Sequence, residues 1–323
     1  MRIHLYTSNF KTEIKMKTFI KKIIVFILVF ITSYVVLICM WGDFAPSFLK
    51  KNLNYPLGSY GFMFSRMKEI KSTNNIEILF LGSSHTYRGF DTRIFKKAGF
   101  VTFNMGSSNQ SPFQTELLLK RYLKKVNPRI IIYEISPDAL STDGVESTLD
   151  VFANDKNDLY SICLLFKQMN VKVCNTFIYA IYKDVFSLND EYNESIIKED
   201  DLYVKGGFVQ KELKFFKNIN YCRNNIKINE SQFKSFEKII NLIKSNKINL
   251  FLIQAPITKS LYMSRIDNKR FDEKIKKYGN YFNFNELFLF DDSLDFYDSE
   301  HLNQKGVEKF NKLIIENIIK KNN

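Results

Sequence analysis

A serine, a histidine and an aspartate, far apart in this sequence, are of the types that catalyse acyl transfer when they meet. Ser84 follows a short apolar run and Gly82, so its hydroxyl would be exposed where a buried strand ends. His301 lies near the C-terminus, with Asp298 three residues before it. A carboxylate at that spacing can bond one imidazole nitrogen and leave the other to take a proton from a serine. The three residues could therefore supply a nucleophile, its base and the group that orients the base.

The choice of base is narrow because the sequence has only three histidines. His4 lies in a basic N-terminal tail, which leaves His85 and His301 as candidates. An isolated histidine at the start of a helix commonly bonds only its own neighbours, and this alternative stays open for His301. The turn at Ser84 and the order of the residues along the chain favour a catalytic role for His301.

Apolar runs separated by amphipathic segments predict the sheet that would bring these residues together. Residues 78–81, 100–105, 129–135 and 248–254 are short apolar runs that end in small residues or proline, and a shorter run follows at 281–284. Such runs are typical of strands buried on both faces. The alternation predicts an α/β fold with a parallel sheet and right-handed crossovers, in which the C-terminal ends of the strands share one edge.

Composition divides the chain into successive parts. Residues 1–22 form a basic tail, residues 23–41 an apolar run, and residues 42–75 a connector with several prolines and glycines. The α/β domain is predicted over residues 76–323, with a mostly helical insertion at about 138–227. Such an insertion could shape a substrate site or merely cover the sheet, and the sequence does not decide between these roles.

The uncharged run at 23–41 has the length of a membrane span, since 19 helical residues extend about 28 Å. Six basic residues and one acidic residue precede it, and Trp41 stands at its far end as an interfacial aromatic would. We predict a single-pass anchor in the cytoplasmic membrane, with the N-terminus in the cytoplasm and the C-terminal domain outside. The alternatives are a cleaved signal peptide, for which no small-x-small cleavage site follows, and a buried core helix.

The net charge of +13 reflects an excess of lysine that is explained most simply by compositional bias. The alternative is attraction to anionic polymers such as polysaccharide, nucleic acid or acidic lipid. No basic run is interleaved with aromatic residues, so no nucleic-acid partner is predicted. The sequence contains no apparent metal cluster or glycine-rich phosphate loop, and we predict no metal or cofactor. Cys163, Cys174 and Cys222 allow one disulfide in the soluble part, which no pattern selects.

Two longer strings carry a resemblance to a known family. LGSSHTYRGFD and DFYDSEHLNQKG, together with Gly106 after the second strand, resemble the SGNH/GDSL hydrolases over about residues 76–320, the insertion excepted. They are similar to a membrane-anchored branch found with surface-polysaccharide acylation, including acyl-transfer partners in alginate-type acetylation and lipoteichoic-acid D-alanylation. The resemblance implies a three-layer, flavodoxin-like sandwich that acts as a serine esterase or O-acyltransferase. Its substrates would be a cell-surface glycan or acyl donor, and its partner a membrane-bound acyltransferase.

Carried over residue by residue, the resemblance implies Ser84 as the nucleophile, His301 as the base and Asp298 as its orienter. The backbone N–H groups of Ser84 and Gly106 would form the oxyanion hole, where each donor contributes roughly 3 kcal/mol in the transition state. Asn109, which follows the second strand, could supply a further donor.

Two positions depart from the family pattern and affect the oxyanion hole rather than the triad. Ser83 stands where the family usually has an aspartate before the nucleophile. The third strand ends at Glu134 and Ile135, with no asparagine where the family has a Gly-x-Asn-Asp pattern that supplies an oxyanion donor.

The residues after the nucleophile, His85, Tyr87 and Arg88, are predicted to face the substrate, although Arg88 could equally pair with Asp91. Two functions remain open. One is a membrane-anchored serine esterase or O-acyltransferase. The other is a catalytically inactive SGNH-like scaffold that binds a polysaccharide or a membrane acyltransferase.

Overall fold

The computed structural model describes residues 2–217 and 219–322, and it gives side-chain surroundings for residues 15–217 and 219–321. The strands are β1 (Ile78–Leu81), β2 (Thr102–Asn104), β3 (Ile130–Glu134), β4 (Ile197–Lys198), β5 (Asp201–Val204), β6 (Phe208–Lys211), β7 (Asn249–Gln254) and β8 (Asn280–Asn283). The helices are α1 (Arg2–Phe44), α2 (Met63–Ile70), α3 (Ser84–Gly89), α4 (Thr92–Lys97), α5 (Pro112–Val126), α6 (Pro137–Ser141), α7 (Val145–Asn154), α8 (Leu159–Gln168), α9 (Val171–Val185), α10 (Glu230–Ser245), α11 (Lys259–Ser264), α12 (Asn268–Ile275), α13 (Phe284–Leu287), α14 (Gln304–Ile314) and α15 (Lys320–Asn322). A π-helical segment, Ile315–Ile319, joins the last two, and short 3₁₀ segments lie at Ser47–Leu49 and Lys276–Tyr278.

The centre of the molecule is a five-stranded parallel sheet with the order β2-β1-β3-β7-β8. Ile78 of β1 pairs with Thr102 on one side and with Ile130 on the other. The order reverses between β1 and β3, where loops leave towards opposite faces and a crevice opens for ligands. The prediction of an α/β fold with a parallel sheet is confirmed.

Alternate residues of each strand enter two separate cores, one on each face of the sheet. In β1, Ile78 and Phe80 pack into one core, whereas Leu79 and Leu81 pack into the other. Helices α5 and α10 cover the core around Leu79, and α14 covers the core around Phe80. The molecule therefore has the predicted three layers, which explains why these strands are apolar throughout rather than alternating with polar residues.

The insertion begins with helices α6 to α9 and continues into a small antiparallel sheet, β4-β5-β6. The amide of Asn104 donates to the carbonyl of Gly206 at 2.7 Å, which places this small sheet beside the edge of β2. The prediction of a mostly helical insertion did not include these strands. Strands of two to four residues have too few alternations to be told from loops by sequence pattern.

Helix α1 continues beyond the predicted apolar run at both ends, over Arg2–Phe44. Its portion from Lys15 to Phe44 is long and apolar enough to cross a membrane, and its most apolar stretch is not buried against the rest of the chain. No other described helix has this property. A membrane span or a signal sequence fits the observation.

The four cysteines, all in the described part of the chain, are free thiols. Cys163 and Cys222 are exposed, and Cys174 is half-buried. The disulfide that the sequence allowed among these three residues is therefore not formed in the structure.

Candidate active site

Ser84 lies directly beyond β1, as the first residue of α3. Gly82 makes the tight turn between them with a φ of 136°, a conformation that only glycine adopts readily. A Cβ on Gly82 would lie 2.4 Å from Thr86 Oγ1 and 2.8 Å from the carbonyl oxygen of Glu134. The turn packs the backbone tightly against β3 and leaves Ser84 half-buried at the edge of the sheet.

The structure brings Ser84, His301 and Asp298 together in one hydrogen-bonded line. His301 Nε2 lies 2.8 Å from Ser84 Oγ, although the two residues are 217 positions apart. His301 Nδ1 lies 2.9 Å from Asp298 Oδ2 and 3.1 Å from Asp298 Oδ1. This is the geometry in which an imidazole can take the serine proton while a carboxylate holds the ring.

The loop that carries His301 is held in place on two sides. The amide and hydroxyl of Thr258 both donate to the carbonyl of Ser299 at 3.0 Å. Tyr297 stacks on the imidazole of His301, with ring centroids 5.6 Å apart and 6° between the planes. These contacts fix the ring orientation before any substrate binds.

Burial and neighbouring charges set the protonation of the two triad members behind the serine. Burial lowers the pKa of His301, and the carboxylate of Asp298 opposes this effect without overcoming it. Burial alone would raise the pKa of Asp298, but the hydrogen bond and charge of His301, together with the backbone amides of Glu300 and His301, outweigh burial and lower it. At neutral pH, His301 is therefore a neutral base and Asp298 an ionised orienter.

A second buried pair, His85 with Glu134, lies beside the triad. Glu134 ends β3 and is fully buried; its Oε1 lies 3.5 Å from His85 Nδ1, and its Oε2 accepts a hydrogen bond from Ser83 Oγ at 3.1 Å. Neither ring nitrogen of His85 has a hydrogen-bond partner among the described residues, so its contact with Glu134 is an ion-pair approach. Burial would lower the pKa of His85, but Glu134, with smaller contributions from the carboxylates of Glu300 and Asp138, outweighs burial and raises the pKa. The rings of His85 and His301 are 5.2 Å apart, so the pair lies directly beside the triad.

Glu134 is the residue of this site that the sequence did not assign. The available signal was an acidic residue at the end of an otherwise apolar strand, where burial requires a partner. Its partner, His85, lies 49 positions earlier, and only the alignment of β1 with β3 shows that the two residues meet.

The structure places Gly106 close to the nucleophile turn, as predicted for an oxyanion donor. A Cβ there would lie 2.8 Å from Thr86 Cβ and 2.9 Å from the carbonyl oxygen of Ser83. However, the amide of Gly106 donates to Asn104 Oδ1 at 3.1 Å. The amide of Ser84 lies in the first turn of α3, where a helix provides no backbone acceptor. Gly106 can serve an oxyanion only by sharing its N–H with Asn104.

Asn109 is not positioned as the sequence predicted. The residue is exposed, has a φ of 48°, and its side-chain nitrogen donates to Glu146 Oε2 at 3.4 Å. This pairing on the surface of α7 gives no support to its predicted role as an oxyanion donor. The left-handed turn at Asn109 directs the chain into α5 instead.

The two other residues predicted to face the substrate differ in their surroundings. Arg88 lines the cleft beside the triad and forms two parallel hydrogen bonds with Asp201, both 2.8 Å long. The alternative pairing of Arg88 with Asp91 is wrong, because Asp91 pairs with Arg93. Tyr87 is buried in a small cluster with Phe62 and Val209 and is not among the residues that line the cleft.

A small cleft opens beside the triad, with a volume of about 10 Å³ that suits one water molecule. Its lining consists of His85, Arg88, Gly89, Ala255, Pro256, Glu300, His301 and Leu302. Ser84 is not among these lining residues, so the cleft lies next to the nucleophile and not over it.

His85, Glu300 and His301 place potential metal-ligand atoms within 4.8 Å of one another. Both ring nitrogens of His301 already contact Ser84 and Asp298. A metal ion bound to His301 would have to displace one of these partners, so the donor set does not fit a resident metal together with an intact triad.

Comparisons with known proteins give similarity only at the level of solved structures. No family model and no curated protein matches the sequence. A structure assigned as an acylhydrolase from Bacteroides fragilis NCTC 9343 is 11% identical, with a TM-score of 0.40, over 79% of this chain and 94% of that one. A GDSL-like lipase from Bacteroides thetaiotaomicron VPI-5482 is 14% identical, with a TM-score of 0.41, over 81% of this chain and 98% of that one. At such low identity and TM-score, neither similarity establishes what this chain does.

Proposed function

We propose that this chain is a serine-dependent acyl-transfer enzyme, an esterase or an O-acyltransferase, in which Ser84 is the nucleophile. The observation that carries the proposal is the 2.8 Å contact between His301 Nε2 and Ser84 Oγ, with Asp298 on the opposite ring nitrogen. The three side chains meet at the edge of a parallel sheet where ligands bind, with nucleophile, base and orienter in hydrogen-bond reach of one another.

In the first half of the reaction, Ser84 Oγ attacks the carbonyl carbon of an ester donor and gives its proton to His301 Nε2. The intermediate collapses, the bond to the donor alcohol breaks, and that alcohol leaves with the proton from His301. In the second half, a water or a glycan hydroxyl gives its proton to His301 and attacks the acyl-serine. Ser84 then regains a proton, and the acyl group leaves as an acid or as a new ester.

The substrate and location that we propose extend this chemistry to the cell surface. α1 anchors the chain in the cytoplasmic membrane, and the basic residues before its apolar run keep the N-terminus in the cytoplasm. The domain then lies outside, where a cell-surface glycan supplies hydroxyl acceptors or acyl esters. A membrane-bound acyltransferase would be a partner in passing acyl groups to Ser84.

A catalytically inactive scaffold is the second candidate, and the engaged amide of Gly106 favours it. An oxyanion hole with one of its N–H groups bonded to Asn104 would stabilise an intermediate less well. The same fold could then bind a polysaccharide or a membrane acyltransferase without turning it over. Ser84→Ala and His301→Ala chains would in that case complement a deletion fully.

Turnover of a small acetyl ester separates the two candidates. We expect Ser84→Ala to abolish turnover, whereas Ser108→Ala, a serine in the neighbouring turn bonded to Glu146, should retain it. Equal turnover by both variants would remove Ser84 as the nucleophile. Acyl analysis of surface glycans from wild-type and Ser84→Ala cells then identifies the acyl group and whether it is gained or lost.

A further inference from the structure

The outer part of α1 is not a free stalk, because α9 packs along it. Tyr34 Oη donates to Asn175 Oδ1 at 2.6 Å. Further along both helices, Asp43 accepts hydrogen bonds from Tyr182 Oη and Lys183 Nζ, each at 2.8 Å. The pairs advance in the same direction, so α9 runs beside α1 with its N-terminus pointing back towards the start of α1.

The connector after α1 folds back to the same level. Asn175 Nδ2 donates to the carbonyl of Asn52 at 3.0 Å, and Thr176 Oγ1 accepts from the amide of Asn54 at 3.1 Å. Because Asn175 also contacts Tyr34, these connector residues lie beside a point well before the end of α1. The domain therefore packs beside the last part of the apolar run instead of starting beyond it.

The level of Tyr34 can be placed relative to a bilayer. Tyr34 precedes Trp41 by seven residues, which is about 10 Å along the helix. A hydrocarbon layer is about 30 Å thick and takes about 20 helical residues. If Trp41 lies at the outer edge of the hydrocarbon layer, Lys22 lies at its inner edge. A layer placed closer to the N-terminus would contain more lysines, which is unfavourable. Tyr34 and its neighbour Asn175 thus lie inside the outer edge of the membrane region.

The turn between α8 and α9 lies deeper still. Val171 precedes Asn175 by about one helical turn, or about 6 Å, in the direction of the inner edge. Phe166, Met169 and Val171 are 68%, 69% and 62% exposed, respectively. Lys167, which lies among them, turns away to bond Glu116 Oε2 at 2.6 Å. The turn therefore presents apolar side chains outward and directs its charge into the domain.

Basic residues lie next to this apolar surface. Lys50, Lys51 and Lys172 line a cleft of about 430 Å³ together with Gly42, close to the end of α1. The exposed Phe48 precedes these lysines in the connector. Apolar side chains bordered by lysines are the composition of surfaces that sit in the membrane interface, where lysine stems reach the phosphates of anionic lipids.

We infer that residues 47–51 and 166–172, here called the collar, dock into the outer leaflet of the bilayer that α1 spans. The apolar side chains of residues 166–171 enter the acyl chains of this leaflet, whereas the lysines that line the cleft beside Gly42, near its outer edge, bind the phosphates of anionic lipids. The inference rests on the proposed anchor. The collar would hold the domain, and with it Ser84, at a fixed height above the membrane.

The depth of single labelled positions in the full chain tests the collar. Cysteine-free protein carrying Val171→Cys is labelled with an environment-sensitive fluorophore and reconstituted into phosphatidylcholine and phosphatidylglycerol vesicles that contain nitroxide lipids. Val185→Cys is the matched control, because it is the same residue type on the same helix, is 70% exposed, and lies about 21 Å further out. Leu28→Cys in the apolar run reports insertion of α1.

We expect several-fold stronger quenching at position 171 than at position 185, with quenching at 171 rising with phosphatidylglycerol content. If position 28 is quenched but position 171 is not, the collar is overturned and the anchor stays intact. The apolar turn would then be a contact surface for a protein partner. Absence of quenching at position 28 would overturn the anchor itself. Changing Lys50, Lys51 and Lys172 together to glutamine should remove the dependence on phosphatidylglycerol; a dependence that persists would exclude these lysines as the lipid ligands.

Discussion

At the scale of residues, two opposing influences set the pKa of the proposed base, His301. Burial favours neutral His301, which can accept a proton, while Asp298 keeps the ring oriented and stabilises the imidazolium that forms. The activity should therefore fall at acidic pH, as His301 becomes protonated, with a midpoint below the ordinary histidine value of about 6.5.

Asp298→Asn should lower kcat by roughly 10²- to 10⁴-fold, because the ring loses its orienting partner. The acid limb should also move to lower pH, since Asp298 raises the pKa of His301 and that influence is removed. Initial rates of ester turnover between pH 4 and 9 check both effects. Asp190→Asn, an exposed residue remote in sequence, is the control, and an Asp298→Asn profile that matches it would contradict the role of Asp298.

Glu134→Gln tests the second buried pair. The folded-state pKa of His85 is raised, so the pair contributes stability that is present below about pH 6.5 and is lost as pH rises through the folded pKa. We expect the variant to be less stable by about 1–3 kcal/mol at acidic pH, with a smaller difference at alkaline pH. Unfolding of detergent-solubilised protein at pH 5.5 and 9 measures this, and a difference that grows with pH would refute the pairing.

The approach of Ser84, His301 and Asp298 could be predicted from the sequence as a hypothesis, because each residue follows or precedes an element with a clear pattern. Glu134 and Asn104 could not be assigned, since their roles depend on side-chain contacts between strands. Asn109 was predicted from its place after β2, but a left-handed turn directs it to Glu146 on the surface.

At the scale of elements, the turn between β1 and α3 determines where the nucleophile stands. Gly82→Ala should destabilise the protein by about 2 kcal/mol or more and remove ester turnover, because the added methyl meets Thr86 Oγ1 and the Glu134 backbone. Gly99→Ala is the matched control: Gly99 has a φ of 92°, but an added Cβ would meet no atom within 4 Å. We expect it to cost about 1–2 kcal/mol from backbone strain alone and to retain turnover. Unfolding and ester-turnover assays on both variants test this expectation. Full activity in Gly82→Ala would contradict the close approach of Gly82 to Thr86 and the Glu134 backbone.

The pair of Arg88 and Asp201 ties α3, which carries the nucleophile, to the small sheet of the insertion. Their side chains are only 14% and 17% exposed, and the paired hydrogen bonds have the fork geometry that lysine cannot reproduce. A double-mutant cycle with alanine at both positions should give a coupling energy of about 1–3 kcal/mol in unfolding. A coupling near zero would mean that the small sheet does not brace the site.

The strands of the central sheet were predictable to within two residues, because strands covered on both faces are short continuous apolar runs. The small sheet β4-β5-β6 was not, since its strands have only two to four residues and lie partly exposed. Helix α1 extends beyond the predicted apolar run because helical structure can continue into charged residues that a membrane would exclude.

At the scale of the whole molecule, an apolar helix carries an α/β domain whose site lies at the reversal of strand order in the sheet. The proposed anchor would restrict the enzyme to acceptors near the membrane surface, and the collar would fix its orientation there. Both proposals concern where the chemistry occurs, and neither affects whether Ser84 reacts.

The most direct test of the central proposal is the site of covalent reaction with a fluorophosphonate, read by peptide mass spectrometry on the full chain. We predict one adduct, on the peptide that contains Ser84, because His301 activates this hydroxyl. The adduct should vanish in Ser84→Ala and form at least 100-fold more slowly in His301→Ala, given the usual contribution of a general base. An unmodified Ser84 in folded protein, or equal labelling with and without His301, would contradict the triad.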